Sequence, residues 1–437
     1  MTTRCGSAAP INGGSEDLPA WVLLLTAAWT SGGTVLYLLA PAIAPIVLPL
    51  CLIFPLTWYW HAYGNLRVFD FAPTSIVLAI AAGYASINAI WSPARAEAFQ
   101  FAAMLLLITI CAPVAVATLR RVDSRAIHAM AVGFCGAFVA VGAFWCFEIL
   151  SQAAIHVRLM AVIPFLWPNS SIGSELPNHF LNRKMVGLAI LFWPAVLAGT
   201  HLRLSRASRG VLLCGLLPAS IAIAASEHQT SQVALLISAV VYAAFKVVPC
   251  AAYRVFRAAW VIACLAVVPL CLAAYSADLH KAHWLQSTAR HRIVIWKATA
   301  DRVLDAPLLG SGIHSARVIH KREPAAPLSP GTRYRLSVSW HSHNAFLQVW
   351  FEAGAVGAAI LLVFGLLVMR AIRQRPQPVQ AALFATFSSC TMIAATGYSA
   401  FAPWLSASFA VGAIFGAVAT AMAKARTSVH SETLPAM

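Results

Sequence analysis

The chain has 437 residues, of which 60% are apolar and 10% charged, with 30 Lys and Arg against 14 Asp and Glu for a formal net charge of +16. Soluble globular proteins are about 25% charged, so a soluble enzyme is excluded, and the implied partner is a lipid bilayer rather than a nucleic acid. The ten cysteines fall almost entirely inside apolar runs with no CxxC pair, which predicts small buried hydrophobes rather than a disulfide framework or a zinc site.

In chain order, residues 1–17 are polar, with Arg4, Glu16 and Asp17. No A-x-A cleavage signal follows, so no removable signal peptide is expected. Apolar segments then recur at residues 19–39, 43–61, 73–91, 98–118, 126–150, 184–202, 210–226, 231–248, 257–276, 345–369, 380–398 and 404–423. A bilayer-crossing helix needs ~20 apolar residues. The expectation is an all-α polytopic membrane protein of about 12 transmembrane helices, with spans one to nine in 1–276, a large outer loop in 277–344, and spans ten to twelve plus a tail in 345–437.

Every second connection is basic: Arg120, Arg121 and Arg125; Arg203, Arg206 and Arg209; Lys246, Arg254 and Arg257; Arg370, Arg373 and Arg375; Lys424 and Arg426. With Arg4 and Arg67 these make sixteen. Lys and Arg are concentrated in short cytoplasmic connections. Twelve spans with both termini in the cytoplasm put all sixteen on that side.

The other fourteen basic residues face outward on this reading, and ten of them lie between Ala277 and Asn344, opposed only by Asp278, Asp301, Asp305 and Glu323. That loop also holds seven of the fourteen histidines. Within it, residues 291–304 predict an amphipathic helix, with Ile293, Trp296, Ala300 and Leu304 at helical spacing, lying on the membrane surface. Pro307, Gly310 and Gly312 end it, and 324–335 reads as irregular coil. A second outer loop, 151–183, runs into Asn182, Arg183 and Lys184 at the mouth of span six.

A basic, histidine-rich pocket at the outer end of an apolar bundle suits an anionic substrate with a lipid tail, such as a lipid pyrophosphate held by Arg forks and Lys point charges. If pyrophosphate leaves, the same cations stabilise the charge that develops. A base for an attacking hydroxyl comes most naturally from histidine. His341 and His343 stand at the lip of span ten in Trp340-His341-Ser342-His343-Asn344, and neighbouring cations favour their neutral form; the alternative is that one caps the helix or anchors it at the interface. Metal catalysis is weaker: His-x-His points its side chains to different faces, and no acidic cluster accompanies it. Asp301 and Asp305 read as surface partners of Arg302. No metal and no cofactor is expected.

Three places in the chain resemble the O-antigen ligase and polymerase superfamily of bacterial inner membranes. They are His343-Asn344-x-x-Leu347-Gln348 running on to Glu352-x-Gly354; Arg292-x-x-x-Trp296 followed by Pro307-x-x-Gly310-x-Gly312; and Asn182-Arg183-Lys184-x-x-Gly187. At Thr230-Ser231-Gln232 the chain departs from the family's Ser-Arg, leaving that cation to be lost or supplied by a neighbour such as His228. The resemblance implies a GT-C-like architecture with a large periplasmic loop. It implies transfer of a glycan from undecaprenyl pyrophosphate, with inversion, at the periplasmic face of a Gram-negative inner membrane. Residue by residue, it implies that His343 deprotonates or orients the acceptor hydroxyl and that Arg292 binds pyrophosphate. Arg183, Lys184 and Asn182 would contribute from the second loop, with Arg290, His341 and Asn344 as further substrate contacts.

Members of that superfamily differ in acceptor. A ligase that uses the lipid A core is the first expectation, since the transferases that modify protein usually carry an extra soluble domain after the spans. A repeat-unit polymerase or protein O-oligosaccharyltransferase shares the donor. A transporter of lipid-linked sugars is the rival from another class, and it would show repeated halves and ionisable groups near midmembrane.

Overall fold

The computed structural model describes residues 19–63, 72–162, 178–323 and 327–432. Arg4, Glu16, Asp17, Arg67 and residues 163–177 of the second outer loop lie outside the described residues. Among the described residues there are seventeen α-helices: α1 Ala20–Leu39, α2 Ala44–Tyr63, α3 Pro73–Asn88, α4 Arg95–Leu119, α5 Ser124–Leu150, α6 Ala154–Val162, α7 Asn178–His201, α8 Arg206–Cys214, α9 Leu217–Ala225, α10 Gln229–Val247, α11 Pro249–Leu265, α12 Val267–Ser276, α13 Ser287–Val303, α14 Ser315–Arg322, α15 Ala345–Arg373, α16 Gln377–Thr396 and α17 Pro403–Glu432. The only β-type pairing among them is an isolated bridge between Leu328 and Arg335. The chain is an all-α polytopic membrane protein.

Each of the twelve predicted segments coincides with a helix or a helix pair. Among the described residues ten are long and apolar enough to cross a bilayer, α8 and α9 counting as one. The ninth segment is α11 and α12, bent by 76°. Pro269 accounts for the bend, because its ring lacks the N–H that Leu265 would use and crowds that carbonyl. At the bend the Cys264 carbonyl accepts the Trp350 indole N–H at 2.7 Å, so a backbone group in an apolar setting keeps a partner. The third segment is α3, only 16 residues long.

The chain divides into two compact units, 1–70, 110–232 and 410–437 in the first, 71–109 and 233–409 in the second. In the first, α1 packs on α5 and α5 on α7 and α9. Thr26, Thr30 and Thr34 form a buried stripe on α1, and each hydroxyl donates to the carbonyl four residues back at 2.7 to 2.8 Å. With its polar atoms satisfied, this stripe of small residues suits a close helix–helix approach. Gly133 of α5 meets Ala27 backbone there, and Ser31 donates to its carbonyl at 2.9 Å.

In the second unit, α15 is the central element and packs against α3, α11, α13 and α16. Its core includes Phe245 and Phe384, stacked with centroids 4.0 Å apart, and Trp260, whose indole N–H reaches the Leu362 carbonyl at 3.2 Å. Helix α13 belongs to this core. The expected surface helix instead buries Ile293, Val294, Ile295, Thr299, Ala300 and Val303, leaving Leu304 67% exposed. Protein rather than lipid covers its apolar side.

Candidate active site

The site lies in the second unit and starts from a break in α15. Gly354 has φ +63 and ψ −165 inside the helix, and a side chain there would collide with the Leu308 carbonyl, so only glycine suits the position. The 307–312 segment runs along the break. Ser311 N–H and Gly312 N–H donate to the Phe351 and Glu352 carbonyls at 2.9 and 3.0 Å, and Ala355 N–H donates to the Pro307 carbonyl at 2.9 Å. The helix backbone groups freed by the break thus find partners. Asn88 at the end of α3 closes the arrangement, donating to the Leu309 and Glu352 carbonyls and accepting from Ile313 N–H at 2.7 Å.

Glu352, fully buried, accepts His314 N–H at 2.6 Å and Ala316 N–H at 3.2 Å. A carboxylate on the first amides of α14 is well placed against the helix dipole. It orients the helix that carries Arg317. Gln348, one turn before Glu352, donates to its Oε1 at 3.3 Å and to Ser399 Oγ at 2.9 Å, and accepts Ala400 N–H at 3.0 Å.

The two histidines sit on a turn held from both sides. Trp296 of α13 donates its indole N–H to the Ser342 carbonyl at 2.8 Å. Asn344 is the N-cap of α15, its Oδ1 accepting Leu347 N–H at 3.2 Å. Between them His343 takes φ +54, a left-handed conformation that costs an ordinary residue about 1–3 kcal/mol and is concentrated at functional positions. This backbone turn brings His341 and His343 to the same side, ring centroids 4.0 Å apart. His343 Nδ1 lies 2.8 Å from the Gly397 carbonyl. A carbonyl only accepts, so Nδ1 carries the proton and Nε2 keeps its lone pair.

Burial lowers the pKa of His343 from its ordinary value, and the nearby charges of Arg292 and His291 act the same way against the Gly397 carbonyl, which raises it. Burial likewise pushes His341 down to about 4, with His343, Arg317 and Arg292 adding to the effect. Both imidazoles are therefore neutral near pH 7. His341 Nε2 is buried and makes no hydrogen bond. Arg292, itself partly desolvated, stays charged as a guanidinium does.

Among the expected residues, the structure thus brings together Arg292, His341, His343 and Asn344, the last as a cap. Arg292 and Trp296 are one turn apart on α13, so the anchor at Ser342 also aims Arg292 toward the histidines. Arg290 is two residues away, on a different face. It lies by Tyr334 together with Arg333, and its Nε is buried without a hydrogen bond. Asn182, Arg183 and Lys184 belong to the first unit and lie inside α7 rather than in a loop. There Lys184 is buried, donates to the Leu39 carbonyl and sits 5.6 Å above the Trp145 ring, while Arg183 is exposed. Gln232, at the position where the resemblance implies a cation, donates to the Ala224 and Ser226 carbonyls at 3.0 and 2.6 Å. It closes the end of α9. His228 bonds Ser231 Oγ at 2.7 Å.

Sequence reasoning missed Arg317, the Gly397 carbonyl and the Gln348–Ser399 pair. Among the described residues no three His, Cys, Asp or Glu side chains group as metal ligands.

Residues 214–362 match the family model described as O-antigen ligase. Curated relatives named "Putative polysaccharide ligase" are similar over shorter stretches. The protein of Rickettsia conorii is 30% identical over 89 residues, 20% of this chain and 21% of that one. That of Rickettsia prowazekii is 27% identical over 120 residues, 27% of this chain and 29% of that one, and that of Rickettsia felis is 27% identical over 123 residues, with the same shares. The chain therefore spans between a fifth and a third of the length of these relatives.

Proposed function

We propose, from the match of residues 214–362 to the family model described as O-antigen ligase, that the chain is an inverting, metal-independent glycosyltransferase. It moves O-antigen glycan from undecaprenyl pyrophosphate to a hydroxyl of the lipid A core oligosaccharide. The reaction takes place at the periplasmic face of a Gram-negative inner membrane, with both termini in the cytoplasm. The acceptor O–H gives its proton to His343 Nε2 as its oxygen forms a bond to the anomeric carbon. The bond from that carbon to pyrophosphate breaks on the opposite side, and undecaprenyl pyrophosphate leaves against the Arg292 guanidinium. His341 and Asn344 border the same turn, and Arg290 extends the basic surface along α13. Arg183, Lys184 and Asn182 enter only through the family resemblance, as phosphate contacts.

The observation that carries the reading is His343 itself. It is strained at φ +54, its proton is fixed on Nδ1 by the Gly397 carbonyl, which leaves Nε2 as the basic nitrogen, and the Arg292 charge acts on the ring. The test is reconstituted transfer from lipid-linked glycan, offered lipid A core, a second repeat unit or a protein acceptor in parallel. His343→Ala and Arg292→Ala are expected to abolish transfer while leaving folded protein, and EDTA is expected to have no effect. Near-normal activity in both variants overturns the assignment, and preference for a repeat unit or a protein moves the chain to the polymerase or protein-transferase reading. Cysteine accessibility from each side of the membrane, read at positions 4 and 333, tests the orientation.

A further inference from the structure

His343 is held at Nδ1 by a backbone carbonyl, so whatever holds that carbonyl controls the histidine. Gly397 ends α16 with φ −113 and ψ −99 and leads into a turn at residues 398–402. One side chain of α15 grips this turn. Gln348 is 1% exposed, and it uses both ends of its amide: Oε1 accepts Ala400 N–H at 3.0 Å, and Nε2 donates to Ser399 Oγ at 2.9 Å. Ser399 Oγ also accepts Phe401 N–H at 3.3 Å. The remaining proton of the amide goes to Glu352 Oε1 at 3.3 Å, which fixes which end of the amide faces which partner. An amide satisfied in this way has no second orientation of equal quality.

We propose that Gln348 is a positioning residue for His343, locking the 397–402 turn so that the Gly397 carbonyl holds the Nδ1 proton and Nε2 faces the acceptor hydroxyl. Resting on the general-base reading above, this deepens it: Gln348 touches no substrate and acts through one backbone amide, one hydroxyl and one carboxylate. The carbonyl does two things. It selects the tautomer, and it supports the imidazolium that forms when the proton is taken. Without the lock, the carbonyl swings away and both tautomers are populated. The groups facing the imidazole are then His341 on its own turn, His291 and Arg292 on α13, and Arg317 on α14 through His341. Burial and the charges of Arg292 and His291 oppose the imidazolium, and the Gly397 carbonyl that offset them has moved away.

The test uses the full chain in lipid nanodiscs and compares Gln348→Met, which keeps length and apolar packing, with Gln348→Glu, Ser399→Ala and His343→Ala. Gln348→Met is expected to lower kcat at pH 7.5 at least tenfold with an unchanged KM for lipid-linked donor, and to move the acidic limb of the kcat–pH profile to lower pH. Ser399→Ala is expected to do the same to a smaller extent, and Gln348→Glu, which keeps the acceptor for Ala400 N–H, to fall between wild type and Gln348→Met. Folded yield and thermal unfolding, followed by size-exclusion chromatography, separate positioning from stability. Where Gln348→Met fails to fold, Ser399→Ala carries the comparison. A wild-type kcat and acidic limb in whichever of these variants folds overturns the proposal, as does an activity loss that only tracks loss of folded protein. Full activity of His343→Ala instead overturns the general-base reading, a result separable from failure of the Gln348 variants.

Discussion

Replacing Trp296 with Phe isolates one hydrogen bond. The aromatic ring packs against the core that includes Ala300, Val303 and Phe346, so Trp296→Phe keeps most of the burial while removing the indole N–H that reaches the Ser342 carbonyl at 2.8 Å. A partly buried carbonyl that loses its donor costs about 1–3 kcal/mol, roughly 5- to 150-fold in the ratio of held to released turn, since 1.4 kcal/mol is tenfold. Reacting groups misplaced by ~1 Å lose about 100-fold in rate. The expected result is a kcat reduced by roughly 10- to 100-fold with KM for the donor within about twofold, because Arg292 and its helix stay in place. Initial rates of glycan transfer in nanodiscs measure both, with tryptophan-independent thermal unfolding as the control. Wild-type kcat in a folded Trp296→Phe protein refutes the view that this bond sets the histidine turn, and a loss confined to KM shows that the indole serves the donor instead.

Other outcomes follow from the same geometry. Burial and the neighbouring cations hold His343 below its ordinary value, so the acidic limb of kcat/KM is expected to be centred below that of a free imidazole, ~6.5; a limb centred above it contradicts this. His341 and His314 are both held down to about 4, mainly by burial. The unfolded chain binds protons at these positions below ~6.5 and the folded chain does not, so stability is full above that pH and falls between about 6.5 and 4; a His314→Asn, His341→Asn double variant should flatten the unfolding midpoint across that window. Gly354→Ala forces a side chain into a backbone conformation essentially confined to glycine, worth ~1–3 kcal/mol, and adds a collision with the Leu308 carbonyl, so folded yield from detergent extraction should drop sharply. Arg292→Lys keeps the charge but loses the planar fork, and is expected to retain partial transfer with a raised donor KM, whereas wild-type constants would deny it a bidentate role.

The spans were legible because each is a long apolar run, and even the bend in the ninth follows from Pro269, although its angle does not. Arg292 and Trp296 could be paired from a spacing of four. What the spacing did not show was the surface they pack on: an amphipathic pattern is satisfied equally by lipid and by protein, and α13 chose protein. Gly397 was illegible for a different reason. It lies 54 residues from His343 and acts through its carbonyl, which every residue possesses. Gln348 and Glu352 stood in the motif without a visible task, since their partners are backbone amides at residues 314, 316 and 400. Gln232 shows the converse, a departure from the resembled motif that became intelligible once its two carbonyl partners at the end of α9 were known.

The break at Gly354 divides α15 unequally. The stretch beyond it, Ala355 to Arg373, has about 19 residues and a length of roughly 28 Å, close to the ~30 Å of a hydrocarbon core. The stretch before it, Ala345 to Ala353, adds up to roughly 13 Å. The crossing is therefore complete without the segment that bears the histidine turn, and that segment works as a spacer. Its length sets how far the histidine turn stands beyond that crossing, and inserting or deleting a single turn before Gly354 would change this reach while pulling Gln348 and Glu352 out of register with their partners.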